Sequence, residues 1–161
     1  MIRLIAAIDQ KRGIAKNDGM PWDFPDDEAY FTEQTKKLGG HVLTGGKTFR
    51  VAYKNKPLSG RHNYILTREQ TPIEGVSLVH NLKDFLKGFK DKDLWVAGGA
   101  NVFDQIIKLG LADELYLTLI DSDFECDQFF PEYKSKFHLT NQSEAQSHNG
   151  VSYKYTIFSK N

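Results

Sequence analysis

Short apolar runs alternate along this sequence with segments of helical periodicity. Continuous apolar runs indicate strands buried on both faces of a sheet, and we predict such strands at residues 4–8 and 94–97. Further strands are predicted at residues 42–44, 64–67, 76–79 and 115–120. Helices are predicted where a proline and acidic residues open a turn, or where apolar side chains recur at helical spacing. They begin at Pro25, after Gly46, after Asn81 and after Gly99. The first should end at Gly39-Gly40 and the last at Gly110.

This alternation predicts an α/β fold with a mostly parallel central sheet and helices on both faces. Residues 137–140 and 152–158 are predicted to be antiparallel partners at the C-terminal edge, with a turn at Asn149-Gly150 in their connection. The chain of 161 residues has no repeat or linker, so we expect one domain over residues 1–161. The long connection 9–23 is a candidate functional loop.

Charge and composition narrow the classes of partner. Lys+Arg and Asp+Glu both number 21, which leaves no global field to attract nucleic acid. The N-terminal apolar run is too short for a signal peptide or a membrane span. The single cysteine permits no intramolecular disulfide, which favours a reducing compartment. We therefore expect a cytoplasmic protein without nucleic-acid or membrane partners, and a monomer because no predicted helix has an exposed apolar stripe.

Asp27 lies in the first turn of the first predicted helix. Helical spacing places Phe31 and Gln34 on its face, with Tyr30 beside them. If this face lines a cavity, desolvation would raise the pKa of Asp27 and let it bind or relay a proton. A first-turn acid that only complements the helix dipole is the alternative, and position alone favours it.

Two glycine pairs and two arginines are candidates for anion binding. Gly45-Gly46-Lys47-Thr48 and Gly98-Gly99-Ala100-Asn101 each follow a strand and open a helix, where free N–H groups can bind phosphate. Neither has the spacing of a Walker or Rossmann loop, and an ordinary tight turn remains an equal alternative. Arg61 and Arg68 flank the strand 64–67 and could bind carboxylate or phosphate, although a solvated surface position is common for arginine.

Metal binding and thiol chemistry are not predicted. Acidic residues between 121 and 132 have the spacing of a calcium loop, but Cys126 occupies the position that requires glycine. We interpret this segment as a solvated acidic loop. The histidines lack the spacing of metal ligands, and Cys126 lies among acids that should raise its pKa and weaken it as a nucleophile.

Several motifs together resemble the dihydrofolate reductase family in its bacterial form. The motifs are Leu4-Ile5-Ala6-Ala7, Met20-Pro21-Trp22-Asp23-Phe24-Pro25 followed by Asp27 and Phe31, Gly45-Gly46-Lys47-Thr48-Phe49, Pro57-Leu58-Ser59-Gly60-Arg61, Val96-Ala97-Gly98-Gly99 and Leu115-Tyr116-Leu117-Thr118. Each motif is weak alone, but the combination is specific. The motifs occur in the same order as in the family, and together they extend over essentially the whole chain.

The resemblance implies reduction of 7,8-dihydrofolate to tetrahydrofolate, with hydride transfer to C6 and protonation of N5. Asp27 would bind the 2-amino group and N3 of the pterin and promote protonation of N5. Thr118 would support Asp27, Trp22 would hold a water molecule, and the segment around Met20 would be a mobile loop that closes over the nicotinamide. Arg61 would bind the glutamate carboxylate of folate. The implied substrate residues are Ile5, Ala6, Ala7, Asp27, Phe31, Leu58 and Arg61.

NADPH is the cofactor that the resemblance implies. Gly98-Gly99 would contact the diphosphate through a cis peptide bond, Lys47 and Thr48 would contact phosphate, and Arg68 would neutralise the adenosine 2′-phosphate. The implied cofactor residues are Ala7, Ile14, Gly45, Gly46, Lys47, Thr48, Thr67, Arg68, Ala97, Gly98, Gly99, Ala100, Asn101, Val102 and Phe103.

The sequence departs from the family pattern at several positions. Ala15 stands where glycine is usual in the mobile loop, Ala97 replaces a larger aliphatic residue, and Phe103 replaces a tyrosine. Gly46 stands where arginine usually contacts the 2′-phosphate, so the preference for NADPH should rest more heavily on Lys47 and Arg68. Residues 53–56 resemble a short insertion.

Dihydrofolate and antifolates such as methotrexate or trimethoprim are the implied ligands, and two alternative functions remain open. A pyrimidine reductase of riboflavin biosynthesis shares the fold and cofactor. The segment from Met20 to Asp27, together with Arg61, better suits a pterin with a carboxylate tail. A non-catalytic nucleotide-binding module would fit Gly46 and Ala97, whereas the pairing of Asp27 with Thr118 argues against it.

Overall fold

A nine-stranded sheet forms the centre of the protein, which a computed structural model describes over residues 1–161. The strands are Ile2–Ile8 (β1), Gly13–Ala15 (β2), His41–Gly45 (β3), His62–Leu66 (β4), Val76–Val79 (β5), Leu94–Gly98 (β6), Glu114–Ile120 (β7), Gln128–Phe129 (β8), Phe137–Gln142 (β9), Gln146–His148 (β10) and Val151–Lys160 (β11). The helices are Pro25–Thr35 (α1), Gly46–Val51 (α2), Leu82–Lys87 (α3) and Ala100–Lys108 (α4). None of these helices combines the length and apolar character that a membrane span needs.

The sheet joins a parallel core to an antiparallel edge. Its strand order is β10-β11-β7-β1-β6-β3-β4-β5, and β9 also pairs with β11. The strands from β7 to β5 in this order run parallel, whereas β11 is antiparallel to β7, β9 and β10. A separate antiparallel pair joins β2 to β8. The predicted mostly parallel sheet with antiparallel C-terminal strands is therefore confirmed.

Each face of the sheet carries its own core, because successive side chains of a strand point to opposite faces. Leu4 and Ile8 of β1 belong to the larger core, which also contains the buried residues of α3 and α4. Ile5 lies on the other face with Trp95, and Phe31 of α1 packs there. Helices thus cover both faces, as predicted. The apolar stripe predicted for α4 is buried throughout: Val102, Phe103, Ile106 and Ile107.

The first helix is shorter than predicted. It ends at Thr35 rather than at the glycine pair 39–40. Lys37 N donates to Gln34 O, three residues back, so the chain tightens into a turn there. Leu38 already has a positive φ of 57°, before the first glycine of the pair is reached. The chain has therefore left the helix before the residues that were expected to stop it.

Three short strands were not predicted: β2, β8 and β10. The turn at Asn149-Gly150 joins β10 to β11 directly, and both residues have positive φ, at 49° and 79°. This backbone conformation is the one that two-residue hairpin turns favour. The turn prediction is confirmed, and the strand before it is an addition to the prediction.

Parallel pairing brings the candidate residues to one edge of the sheet. Ala7 on β1 pairs with Thr118 on β7, and Thr44 on β3 pairs with Gly98 on β6. The loop after β1 and both glycine pairs therefore leave the sheet on the same side. This is the carboxyl edge of the parallel strands, where open α/β sheets bind ligands.

Candidate active site

A cavity of about 460 Å³, which we call the inner cavity, opens at this edge. Its wall is largely apolar and includes a few polar groups, as is typical of small-molecule sites. The predicted site residues in its wall are Ile5, Ala6, Ala7, Ile14, Met20, Asp27, Phe31, Lys47, Thr48, Leu58, Arg61, Ala97, Gly98, Gly99, Phe103 and Thr118. Residues that are far apart in sequence thus surround one volume.

Asp27 faces the inner cavity and is held by the sheet. Thr118 Oγ1 donates a hydrogen bond of 2.6 Å to Asp27 Oδ1, a length typical of a charge-assisted bond. Burial raises the pKa of Asp27, the hydrogen bond from Thr118 partly offsets this rise, and the charge of Glu28 adds to it. A partly buried carboxyl group with a raised pKa in a cleft is a candidate for exchanging a proton with a ligand.

Aromatic side chains surround the Asp27 carboxyl group. Tyr30 and Phe31 line the inner cavity with it, and the ring of Tyr30 stacks on that of Tyr155 at a centroid distance of 4.0 Å. Burial is the main cause that raises the pKa of Tyr30 to about 12, so its hydroxyl stays protonated at neutral pH. Burial at this aromatic wall is the largest cause of the raised pKa of Asp27.

Helical spacing identified only part of the α1 contribution to the cavity. Gln34 shares a face with Asp27 but does not line the cavity, because it lies about 10 Å farther along the helix axis. Glu28 and Thr32 line it instead, and their closeness to Asp27 and Phe31 in sequence could have indicated this. Other residues that the sequence analysis did not place in this wall are Ala15, Asp18, Gly19, Tyr30, Val51, Ala52, Tyr53 and Gln128.

Trp22 lies behind the wall of the inner cavity rather than in it. Its side chain is buried in a small core with Phe24 and Tyr153, and its ring meets that of Phe124 edge-on at 5.2 Å. Trp22 Nε1 is buried and has no hydrogen-bond partner in the protein. An unpaired buried donor costs about 1–3 kcal/mol, so this N–H group suits a polar atom supplied from outside the chain.

Arg61 lines the inner cavity with its guanidinium group partly fixed. Its Nη1 donates to Thr35 Oγ1 at 2.9 Å, and its Nε donates to Ser59 O at 2.9 Å. No carboxylate pairs with it, and burial lowers the pKa of the guanidinium without threatening its charge. The remaining N–H groups are therefore available to an anionic ligand.

The loop after β1 reaches the inner cavity and is tied to α2. Met20 lines the cavity with its side chain 58% exposed. Asp18 Oδ1 lies 2.8 Å from Lys47 Nζ and accepts a hydrogen bond of 3.1 Å from Gln128 Nε2. This exposed ion pair and this hydrogen bond connect the middle of the loop to other residues of the wall.

Acidic residues of the segment 121–127 bind the loop after β1 at two positions, Gln10 and Asn17. Asp127 Oδ2 accepts a hydrogen bond of 3.0 Å from Asn17 N, and Asp121 Oδ1 accepts one of 2.8 Å from Gln10 Nε2. This segment was expected to be only a solvated acidic loop. These acids are exposed, but they also position the loop that reaches the cavity.

A second cavity of about 620 Å³, the outer cavity, shares Lys47, Thr48, Gly99 and Gln128 with the inner one. The predicted cofactor residues in its wall are Gly45, Gly46, Lys47, Thr48, Thr67, Arg68, Gly99, Ala100, Asn101 and Val102. Every predicted cofactor residue therefore lines one of the two cavities. Residues that the sequence analysis did not place in the outer wall are Arg50, Leu66, Glu69, His80, Gln105 and Gln128.

Glycine residues form part of the boundary between the two cavities. The Gly98–Gly99 peptide bond is cis, as the resemblance implied. A Cβ atom on Gly99 would lie 2.8 Å from Thr48 Oγ1, and one on Gly45 would lie 3.0 Å from Val102 Cγ2. Glycine at both positions therefore lets the two segments pack closely against each other at this boundary.

This boundary has the properties of a phosphate site. Gly99 is the N-cap of α4, and no side chain caps the helix. The free N–H groups of the first turn and the helix dipole both favour an anion there. Lys47 and Thr48 add a positive charge and a hydroxyl at the same place. These groups fit a diphosphate that joins a ligand in the outer cavity to one in the inner cavity.

Metal and thiol chemistry have no counterpart in these cavities. No cluster of three or more His, Cys, Asp or Glu side chains that could hold a metal ion is present. Burial and the adjacent Asp9 raise the pKa of Cys126 to about 11, so it remains a thiol at neutral pH. The predicted direction is confirmed, although burial rather than the acidic neighbours is the largest cause.

Comparisons with known proteins identify the family to which this chain belongs. A family model described as dihydrofolate reductase matches residues 1–160. Dihydrofolate reductase of Bacillus subtilis (strain 168) is 32% identical over 165 residues, which cover 99% of this chain and 95% of the relative. That of Sus scrofa is 33% identical over 182 residues, which cover 99% and 98%.

A solved structure extends the agreement to three dimensions. Dihydrofolate reductase from Enterococcus faecalis, complexed with NADP(H) and RAB-propyl, matches this fold with a TM-score of 0.87 and 27% identity, over 100% of this chain and 96% of that chain. The matches extend through every element that lines the two cavities and confirm the family that the motifs predicted. This chain belongs to the dihydrofolate reductase family.

Proposed function

We propose that the chain reduces 7,8-dihydrofolate to 5,6,7,8-tetrahydrofolate with NADPH as the hydride donor. The observation that carries this proposal is the Asp27 carboxyl group, bound to Thr118 at 2.6 Å in an aromatic cavity. The same cavity adjoins a phosphate-binding boundary on its other side. A reductase of pterins needs both features, because the reacting ring and the cofactor must meet at one place.

Asp27 binds and orients the pterin ring in this proposal. One carboxylate can accept hydrogen bonds from the pterin 2-amino group and from N3–H, which fixes the ring in one orientation. Ile5, Ala7, Phe31 and Leu58 supply the apolar surface on which the substrate packs. Arg61, whose free N–H groups face the cavity without an acidic partner, binds the carboxylate of the glutamate tail.

Protonation of N5 is the second role of Asp27. Of the three acidic residues in the inner wall, Asp18 is paired with Lys47, and Glu28 is exposed. Asp27 is the half-buried acid with a raised pKa, and its charge raises the proton affinity of the bound pterin. The Trp22 N–H, buried near this site without a partner, holds the water molecule through which the proton arrives. NADPH, when bound, supplies the hydride that reduces C6.

The chain's cofactor residues divide between the two cavities. The Gly98–Gly99 backbone and the uncapped start of α4 hold the diphosphate, assisted by Lys47 and Thr48. Phe103 and Ala97 in the inner wall lie beside the nicotinamide, and the outer cavity takes the adenosine end. The loop after β1, which contains Met20, closes the inner cavity and excludes water during the reaction.

Dihydrofolate-dependent oxidation of NADPH by the purified protein tests this proposal. We expect turnover with dihydrofolate, and inhibition by methotrexate or trimethoprim, whose basic rings would bind to Asp27. Protein incubated with NADPH alone is the control. Turnover with an aminopyrimidine intermediate of riboflavin synthesis, but not with dihydrofolate, would favour the pyrimidine reductase. Absence of turnover with either substrate, together with failure to bind methotrexate, would overturn both enzyme assignments.

We also propose that the chain acts as a single domain and as a monomer in the cytoplasm. One continuous sheet supports a single domain, because β9–β11 complete the sheet that β1 begins. A lone free cysteine is compatible with a reducing compartment. Sedimentation of the protein at micromolar concentration would test the monomer directly.

A further inference from the structure

Arg50 occupies the space in the outer cavity that Gly46 leaves open. A Cβ atom on residue 46 would lie 3.2 Å from Arg50 Nη1, 3.3 Å from Leu66 O and 3.4 Å from Thr67 Cβ. Residues 46 and 50 are one helical turn apart on α2, so their side chains share a face. The φ of Gly46 is not in the left-handed region, so the backbone does not require glycine. Glycine at this position therefore serves to make room for the guanidinium.

The outer cavity needs a cation at this end if it holds NADPH, an assignment that rests on the proposed function. NADPH differs from NADH only by the 2′-phosphate on the adenosine ribose, so selection between them depends on what meets that group. The diphosphate fits the boundary with the inner cavity, which leaves the adenosine end for the far side of the outer cavity. Arg50, Thr67 and Arg68 line that cavity, but not the inner one.

The lysine and arginine side chains that line the outer cavity differ in how closely acidic side chains pair with them. Lys47 Nζ lies 2.8 Å from Asp18 Oδ1 and lines both cavities, so it belongs to the boundary. Arg50 Nη1 lies 3.8 Å from Glu69 Oε1, beyond hydrogen-bond distance, and both side chains are about half exposed. Arg68 has no ion pair and follows the carboxyl end of β4. The Arg50 guanidinium therefore makes only one long, half-exposed ion pair, which leaves its planar set of donors able to turn to a phosphate.

We propose that Arg50, reaching into the space beside Gly46, is the residue that selects NADPH over NADH by binding the 2′-phosphate. Leu66 O and Thr67 Cβ border the same space, which places the guanidinium next to the segment that carries Arg68. Two arginines from different elements would then flank one doubly charged group. Glycine at 46 and arginine at 50 act as a coupled pair, because a side chain that extends beyond Cβ at 46 would compete with the guanidinium for the same space.

Binding of two adenosine nucleotides without nicotinamide tests the proposal independently of turnover. Adenosine 2′,5′-bisphosphate carries the discriminating phosphate and adenosine 5′-monophosphate lacks it. Calorimetric titration of Arg50→Gln should show affinity for the bisphosphate reduced by about tenfold to a hundredfold, with affinity for the monophosphate changed less than about twofold. Lys83→Gln, an exposed charge removed from α3, is the matched control and should leave both affinities unchanged.

Kinetics and a second variant make the test specific. In Arg50→Gln, KM for NADPH should rise toward that for NADH, while kcat at saturating NADPH stays within about twofold of the wild-type value. Gly46→Arg combined with Arg50→Gln should restore selectivity by supplying the guanidinium from position 46. Equal loss of both nucleotides, or unchanged selectivity in Arg50→Gln, would overturn the proposal. Failure of the proposed function would look different, since the wild-type protein would then not oxidise NADPH with dihydrofolate, whichever of the two nucleotides it prefers.

Discussion

Replacement of Thr118 by valine removes the donor that stabilises ionised Asp27. The hydrogen bond is 2.6 Å long, and Thr118 is only 2% exposed, so water cannot readily replace the lost hydroxyl. A hydrogen bond to a charged group contributes about 1.5–3 kcal/mol. Because about 1.4 kcal/mol corresponds to one pKa unit, the titration midpoint of the Asp27 carboxyl should rise by about one to two pH units. Burial already raises the pKa of Asp27, and the variant removes the contact that opposes this rise.

The Asp27 titration can be followed by carbon NMR of carboxyl-labelled protein without ligands. Thr156→Val is the matched control, because Thr156 is 1% exposed and its Oγ1 donates a hydrogen bond of 2.6 Å to Leu117 O instead of a carboxylate. This control loses a buried hydroxyl of the same kind and should leave the Asp27 midpoint unchanged. A midpoint that stays or falls in Thr118→Val would refute the reasoning. Equal shifts in both variants would attribute the effect to general loosening of the sheet.

Two further predictions concern charged groups elsewhere. Arg61→Gln should raise KM for dihydrofolate by about tenfold to a hundredfold, with kcat nearly unchanged, and should not alter binding of a pterin without a glutamate tail. A similar loss with the tail-free pterin would contradict this role. Burial, and then the charge of His62, lower the pKa of His41. The folded state thus binds fewer protons than the unfolded chain, so the unfolding free energy should fall as pH drops through about 6.5. Urea denaturation should show a smaller decrease in His41→Gln, and an equal decrease would contradict the assignment.

The parallel core of the fold could be predicted from sequence because its strands are buried on both faces. The apolar runs in β1, β6 and β7 are continuous for this reason and stand out without knowledge of their neighbours. The strands β2 and β8 have three and two residues, and their pairing joins Gly13 to Phe129 across most of the chain. Such pairing depends on the path of two loops, and no local periodicity indicates it.

Site residues that belong to a family motif could be predicted from the sequence. Residues whose position depends on how neighbouring side chains pack could not. Asp27 and Thr118 were paired through the family resemblance, and the register that sets Ala7 opposite Thr118 explains why they meet. Arg50 carried no signal, because its position depends on the space that Gly46 leaves. Trp22 was expected at the site but lies behind the wall of the inner cavity. Its buried N–H group has no hydrogen-bond partner in the protein.

The pH dependence of kcat/KM for dihydrofolate in Asp27→Asn is the most direct measurement of the central assignment. Asparagine can still accept the hydrogen bond from Thr118, so the fold should be retained, and circular dichroism would check this. General acid–base catalysis contributes about a hundredfold to ten-thousandfold, so we expect a loss of that size at pH 7. The loss should shrink as the pH falls, because the substrate then takes its proton from solvent. Wild-type activity of Asp27→Asn at neutral pH would show that Asp27 is not the functional carboxylate.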